Sequence, residues 1–471
     1  MNFTKNKYFK FFGLYCVIIL VNYFTPGIVR VIFFSSLLIV FYKSKQNAFW
    51  IALFFVIQYA PGYLFNNIDA IYNLNFYRVP GSDRNISFNE LSIVIMFLKA
   101  LTSKEHYKIN KIFLLLIFYS IFLFAISFAF GVTTTKILRT IRFLIPYTLF
   151  WSLPVLLLKE EKFLDIFNYF LIFSIVVFAM QIYMFVSGKH FFTLLGGRFE
   201  QRFDVANDLI FDSEHDLVRP LYSTHILFLN IIIGLYYFIS NSNQKPKYLI
   251  VYVALSLISL IITGTRGYSI GAIAMIFIYF IILPKRLKTI SKYLMFFLIG
   301  LFVILLIPQV NKQMSLAIDR IMTVTKFAEG DITAGGTSQR FNRYMPMVMN
   351  KFTESPIIGF GFSDDFYANT NAHVAIPNTL LNGGIVGLIL FLAFLFYFYF
   401  RSTYWYLHID QKYIIIVIGL TGFLIVHIFS FAIFSYLLGQ ANYFCFVLFL
   451  VFADILYRQK VSVINDQISN Y

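Results

Sequence analysis

Apolar runs of close to 20 residues recur from one end of the chain to the other, and nothing else in the sequence constrains the fold as much. A helix rises about 1.5 Å per residue, so about 20 apolar residues cross the hydrocarbon of a bilayer. Charged residues make up only 13% of the chain, against about 25% in a soluble protein. The expected fold is therefore an all-α polytopic membrane protein. The runs lie near 9–24, 27–42, 47–65, 87–101, 112–130, 138–158, 162–187, 219–240, 247–263, 267–283, 293–308, 376–400, 412–434 and 439–457. They predict about 14 transmembrane helices, within a range of about 12–14. The first run lacks a small-residue cleavage site and is soon followed by a second, so no cleavable signal peptide is expected. Cys16 and Cys445 both fall inside apolar runs, which argues against a disulfide framework or a zinc site.

The net charge of +16 is spread over connections between the runs rather than gathered in one patch, so no nucleic-acid partner is expected. The short connections KSKQN, SKEHYKINK, KEEK, NQKPK and PKRLKTISK are rich in lysine. By the positive-inside rule they are cytoplasmic, together with both termini. Alternation then places 66–86, 131–137, 188–218, the GTRG turn, 309–375 and SYLLGQ on the outer side. The outer set holds most of the arginines, among them Arg219, Arg266, Arg320, Arg340 and Arg343, while Arg286, Arg401 and Arg458 fall inside. Topology depletes basic residues outside without favouring arginine. A guanidinium offers a planar fork of donors that matches phosphate or carboxylate bidentately. The outer face is thus expected to hold an anion; the plainer alternative is arginines paired with lipid phosphates or loop acids.

The chain reads as one transmembrane domain over 1–471 with two long extracytoplasmic loops, 188–218 and 309–375. A loop as long as the second is uncommon without a purpose. Its first half, NKQMSLAIDRIMTVTKF, repeats Met314, Ile318, Ile321 and Val324 at helical spacing. Its second half, TSQRFNRYMPMVMNKF, sets Phe341, Tyr344, Met345, Val348 and Phe352 on one stripe and Arg340 and Arg343 on a different face. Pro346 is expected to kink this helix or to limit its start. Gly359 and Gly361 then allow a tight backbone path, and His373, which could exchange a proton near neutral pH, precedes the next span.

Four stretches together resemble the O-antigen ligase and polymerase superfamily of bacterial envelope glycosyltransferases. GTRG before an apolar span is similar to the family's small-residue, arginine, glycine turn. SQRFNRYMPMVMNKFTESPIIGFGF resembles its arginine, amphipathic helix, then P-x-x-G-x-G. HVAIPNTLLNGGIVGLILF resembles its histidine followed by G-x-x-G at the head of a span. VRPLYSTHILFLN, with Arg219, resembles an arginine ahead of an earlier span. The likeness covers about residues 200–457. One departure is that family members carry Asn directly after the histidine, where this chain has Val374; Asn378 is the candidate substitute.

The resemblance implies a GT-C-like architecture and transfer of a glycan from an undecaprenyl-diphosphate carrier to an acceptor hydroxyl, on the outer face of the bacterial cytoplasmic membrane. Partners would be the lipid-linked glycan donor, the glycan acceptor, membrane lipids and a chain-length regulator protein. No cofactor and no metal are implied. Arg266 and Arg340 would bind the diphosphate and stabilise the charge growing on the leaving group, with Arg343 and Arg219 as further candidates. His373 would act as general base or would orient the acceptor, with His215, Asp204, Glu200 and Glu214 in reserve. Direct displacement would invert the anomeric centre. The outer aromatics Tyr344, Phe360, Phe362, Phe366 and Tyr367 either pack the loop, the preferred reading, or stack on sugars. Two activities remain open: polymerisation of repeat units into an O-antigen or capsule, which is favoured, and ligation of the finished chain to a terminal acceptor. A flippase for lipid-linked sugars is the rival from another class, though no internal repeat of the transporter kind is visible.

Overall fold

The structure, a computed structural model, describes residues 2–25, 27–58, 88–105, 107–187, 211–212, 217–218, 224–240, 244–283, 302, 305–328, 340–371, 374–429 and 442–469. Helices α1 (Asn2–Phe24), α2 (Gly27–Lys43), α3 (Asn47–Gln58), α4 (Phe88–Leu101) and α5 (Lys111–Ala129) follow the first apolar runs. The run expected as one span near 138–158 is broken. There α6 (Thr134–Leu144) passes through a 3-10 turn, Ile145–Thr148, into α7 (Leu149–Leu157). Pro146 in that turn has no N–H to continue the ladder. Next come α8 (Glu160–Ser187) and a two-residue antiparallel ladder of β1 (Phe211–Asp212) with β2 (Leu217–Val218). An apolar series follows: α9 (Thr224–Ile239), α10 (Leu249–Ile262) and α11 (Arg266–Ile282). The long loop holds α12 (Pro308–Ala328), a π turn at Arg340–Tyr344, α13 (Met345–Phe352) and α14 (Asp364–Asn369). The chain ends in α15 (Ala375–His408), α16 (Ile414–Phe429) and α17 (Asn442–Ser469).

Among the described residues, Lys111–Ala129, Glu160–Tyr183, Ile376–His408 and Gln411–Ile428 are long and apolar enough to cross a bilayer. Asn47–Ile57, Ile145–Leu157, Thr224–Ile239, Leu249–Ile262 and Arg266–Ile282 are shorter apolar helices. The chain is a helical membrane protein. Most of the run near 293–308 lies outside the described residues.

The backbone packs as two compact units. The first comprises residues 1–121, 132–170 and 437–471. Aromatic rings fill it: Phe11 stacks on Tyr169 at 4.6 Å, Phe113 on Phe150 at 4.3 Å, and Phe167 meets Phe452 edge-on at 5.1 Å. The buried Asp454 carboxylate accepts from Asn110 Nδ2 at 2.6 Å, from Arg458 Nε at 3.0 Å and from the Tyr107 hydroxyl. That network fastens the connection before α5 to α17.

The second unit comprises residues 122–131 and 171–436. Its helices are joined by buried polar contacts and close backbone approach, the means by which helices associate in lipid. Gln181 Nε2 donates to Ser259 O at 3.1 Å, and Asn230 Nδ2 to Ser256 Oγ at 3.2 Å. At the crossing of α11 and α16, a Cβ on Gly271 would lie 3.1 Å from Gly422 O, and one on Gly422 would lie 2.4 Å from Met275 Sδ. α12 lies against the C-terminal end of α8 and against α10, with Val310 and Met314 packed on Phe185, Ile258 and Ile262. Its buried stripe runs Val310, Met314, Ala317. Ile318, expected on that stripe, is 45% exposed. Val310 and Met314 of this i, i+4, i+7 row meet α8 and α10 instead.

Candidate functional site

The GTRG segment is the turn between α10 and α11. Gly264 has φ +59°, a left-handed helix terminator, and its N–H donates to Ile261 O at 2.9 Å. The Thr263 hydroxyl donates to Leu260 O at 2.7 Å and accepts from Thr265 N–H at 3.3 Å. Arg266 is the first residue of α11, so its position follows from a short, internally bonded turn. Its Nε donates to the backbone oxygen of Arg320 on α12 at 3.0 Å. The Thr323 hydroxyl donates to the same oxygen at 2.7 Å.

Arg340 opens the π turn on the far side of the long loop and is half-buried. Burial, and then the charge of Arg320, push its guanidinium below its ordinary value. Arg266 thus touches the backbone of Arg320 and Arg340 feels its charge, so Arg320, which the sequence placed outside the membrane but not in the site, lies next to both. Arg320 and Arg340 are like charges in a partly dehydrated space, an arrangement that favours binding an anion. Arg343 takes a different direction: it is exposed, with its guanidinium 5.9 Å from the Tyr344 ring centroid. Pro346 is the cause. It sits in the first turn of α13 and limits that helix, leaving Arg340–Tyr344 as a wider π turn. The change of pitch also dissolves the expected stripe. Val348 is fully buried, while Phe341 is 42% exposed and Met345 38%. His373, Arg219, His215, Asp204, Glu200 and Glu214 lie outside the described residues. The backbone of β2, which ends one residue before Arg219, runs against α12.

A backbone joint stands behind the arginines. α15 is interrupted at Gly384, where φ is +63° and ψ −162°. A continuous helix would bond the N–H groups of Ile385 and Val386 to the carbonyls of Leu381 and Asn382. Instead the segment Pro356–Gly361 inserts between them. Ile385 N–H donates to Pro356 O at 2.9 Å and Val386 N–H to Ile357 O at 3.1 Å. Phe360 N–H donates to Leu381 O at 2.9 Å and Gly361 N–H to Asn382 O at 2.8 Å. Two helical bonds open and four replace them, so the Leu381 and Asn382 carbonyls and the Ile385 and Val386 N–H groups are all re-bonded, as burial in a membrane protein requires. Gly359 (φ +66°) approaches Asn382 O so closely that a Cβ would stand 2.5 Å from it. P-x-x-G-x-G and G-x-x-G, separate motifs in the sequence, are therefore two sides of one joint.

Side chains fix the joint from around it. Lys351 Nζ reaches Glu354 at 2.6 Å and Asp365 at 2.9 Å, spanning the inserted loop. These partners raise the Lys351 ammonium above its ordinary value, chiefly through the hydrogen bonds to Glu354 and Asp365. The Ser127 hydroxyl accepts from Phe362 N–H at 2.6 Å. Phe360, Phe362 and Phe366 are buried, Phe360 against Phe130 at 4.9 Å. These three rings pack the loop and offer no face for a sugar; Tyr344 and Tyr367 remain half-buried. The fully buried Asn378 forms a two-way amide clamp on the backbone of Asn371. Its Oδ1 accepts from Asn371 N–H at 3.1 Å and its Nδ2 donates to Asn371 O at 2.5 Å.

Residues 251–392 match the family model described as O-antigen ligase. A comparison with curated proteins gives no match. Arg266, Arg320, Arg340 and both sides of the joint all fall inside the matched residues.

Proposed function

We propose, for a chain that carries a domain of the O-antigen ligase and polymerase superfamily at residues 251–392, that it polymerises undecaprenyl-diphosphate-linked repeat units into a surface polysaccharide. The matched domain enclosing a cluster of three arginines carries this reading. Members of the family act on lipid-linked glycans, and a diphosphate is the anion such a donor presents. Arg266, Arg340 and Arg320 bind its oxygens and neutralise the charge that develops as the bond to the sugar breaks. Arg219 is a further diphosphate ligand in the same reading. His373 deprotonates or orients the acceptor hydroxyl. The displacement inverts the anomeric centre and needs no metal. In the same proposal the chain has about 14 spans in a GT-C-like arrangement. Both termini are cytoplasmic, and the site lies on the outer face of the cytoplasmic membrane.

The matched family is described as O-antigen ligase, and that description favours a second reading, transfer of the finished glycan to a terminal acceptor. Deleting the gene and analysing surface glycan and carrier lipid separates the two. Single repeat units at the surface are the expected result for a polymerase, and long chains stranded on the carrier for a ligase. Repeat units trapped inside the cell would instead indicate a flippase and overturn the proposal.

A further inference from the structure

The segment inserted at the α15 joint carries two adjacent isoleucines on its outside. Ile357 is 65% exposed, and Pro356 and Ile358 on either side of it are exposed as well. They adjoin the break in α15, because Pro356 O and Ile357 O accept from the N–H groups of Ile385 and Val386. Those two residues are exposed in turn. Ile385 opens a row at i, i+4, i+7 and i+11, which one helix face brings into line. Its further members Ile389, Leu392 and Phe396 are all exposed. The row runs down Ile376–His408, which is long and apolar enough to cross a bilayer. An exposed apolar row on such a helix faces lipid. In water, Ile357 and Ile358 beside it would enlarge an exposed apolar patch, which calls for a partner.

We infer that the Ile357–Ile358 tip is inserted into the bilayer, among the acyl chains of the leaflet at which α15 begins. Segment 355–361 is then a re-entrant piece of the membrane domain, set within a loop whose sequence reads as aqueous. Two further observations support this. Non-helical backbone is tolerated at bilayer depth only where its polar groups are bonded within the protein. The carbonyls of Ser355, Pro356, Ile357, Gly359, Phe360 and Gly361 all accept hydrogen bonds. Charge is also confined to the two ends of the segment. Residues 355–363 carry none, Glu354 precedes them, Asp364 and Asp365 follow them, and Lys351 bridges Glu354 and Asp365. That clasp stands at the headgroup layer, with the apolar tip below it. Three residues from Glu354 to Ile357 span at most about 11 Å, which suits a shallow insertion of about 5–10 Å. The insertion pegs α13, which runs into the clasp, to the membrane surface.

The test uses the full chain in lipid nanodiscs. Exposed Cys16 is changed to serine and buried Cys445 is kept, and that parent gives the labelling background. Ile357→Cys, Ile358→Cys, Ile389→Cys and Thr353→Cys are each labelled with a nitroxide. Power saturation then compares collisions with oxygen, which concentrates in hydrocarbon, and with a nickel chelate, which stays in water. Oxygen accessibility should stand severalfold above that of nickel at Ile357→Cys and Ile358→Cys, as at Ile389→Cys on the α15 row. Thr353→Cys, exposed ahead of Glu354, should show the reverse. Nickel exceeding oxygen at either isoleucine position would put the segment in water and overturn the inference. A label that neither reagent reaches would mean a protein cover, a second copy included, and would overturn it equally. No substrate is added, so the outcome is independent of the glycosyl-transfer reading.

Discussion

Replacing Gly384 with alanine would place a methyl carbon 2.2 Å from the carbonyl oxygen of Ile357 and 2.5 Å from the nitrogen of Ile358. Both are backbone atoms of the inserted loop, so no rotamer change relieves the clash. The backbone itself is in a region open essentially to glycine alone, which costs any other residue about 1–3 kcal/mol. To escape the contact, the loop must withdraw and give up at least the bonds donated by Ile385 and Val386, at about 1 kcal/mol each. The sum is about 3–5 kcal/mol, a large share of the stability of a typical domain. Gly13→Ala serves as the control, because nothing lies within 4 Å of the added methyl on that helix; alanine there should be neutral or mildly stabilising. Thermal unfolding of both variants in detergent, with complementation of a deletion strain, reads the difference. The reasoning fails if Gly384→Ala melts with the wild type and restores normal surface glycan.

Other perturbations follow from the same geometry. Arg266→Lys keeps the charge but loses the fork and the Nε donor to Arg320 O; donor turnover should drop at least about 10-fold, with melting little changed. Arg320→Gln should weaken donor binding to a similar extent, measured as a raised donor KM. Asn378→Ala removes both clamps on Asn371 and should cost about 2 kcal/mol in a melting assay along with most of the transfer activity. Asn378→Asp keeps the acceptor alone and should fall between. Lys351 is held above its ordinary value of 10.5, so its stabilising contribution is fully present below that pH and is lost only as pH rises through the higher folded value. Proteolytic nicking of 353–363 should therefore be constant from pH 7 to about 9 and should rise only beyond about pH 10.5.

The helices of the membrane domain were legible because the apolar runs delimit them. α2, α4, α5, α8 and α10 begin and end within a few residues of the runs that predict them. The interruption of α15 was not, because Ile376–His408 reads as one continuous apolar stretch and the break exists only through bonds to a loop more than 20 residues earlier. Both motifs of the joint were visible, but their pairing is a tertiary fact. The arginines proposed to hold the anion were legible in part. The small-residue turn marked Arg266, and the amphipathic pattern marked Arg340. That pattern assumed a pitch of 3.6 residues, and the π turn ahead of Pro346 turned Arg343 away. Arg320 sits on a helix whose phase is set by packing against α10, which no local pattern encodes.

The central claim is that the outer arginine cluster serves glycosyl transfer from a diphosphate carrier. The direct measurement is conversion of a purified undecaprenyl-diphosphate-linked oligosaccharide by the purified full-length chain in nanodiscs, with a chelator present. The account predicts release of undecaprenyl diphosphate in step with elongation or capping of the acceptor glycan, and loss of both in Arg266→Lys. Intact donor after prolonged incubation with acceptor, or turnover unaffected by Arg266→Lys and Arg266→Ala, would contradict it.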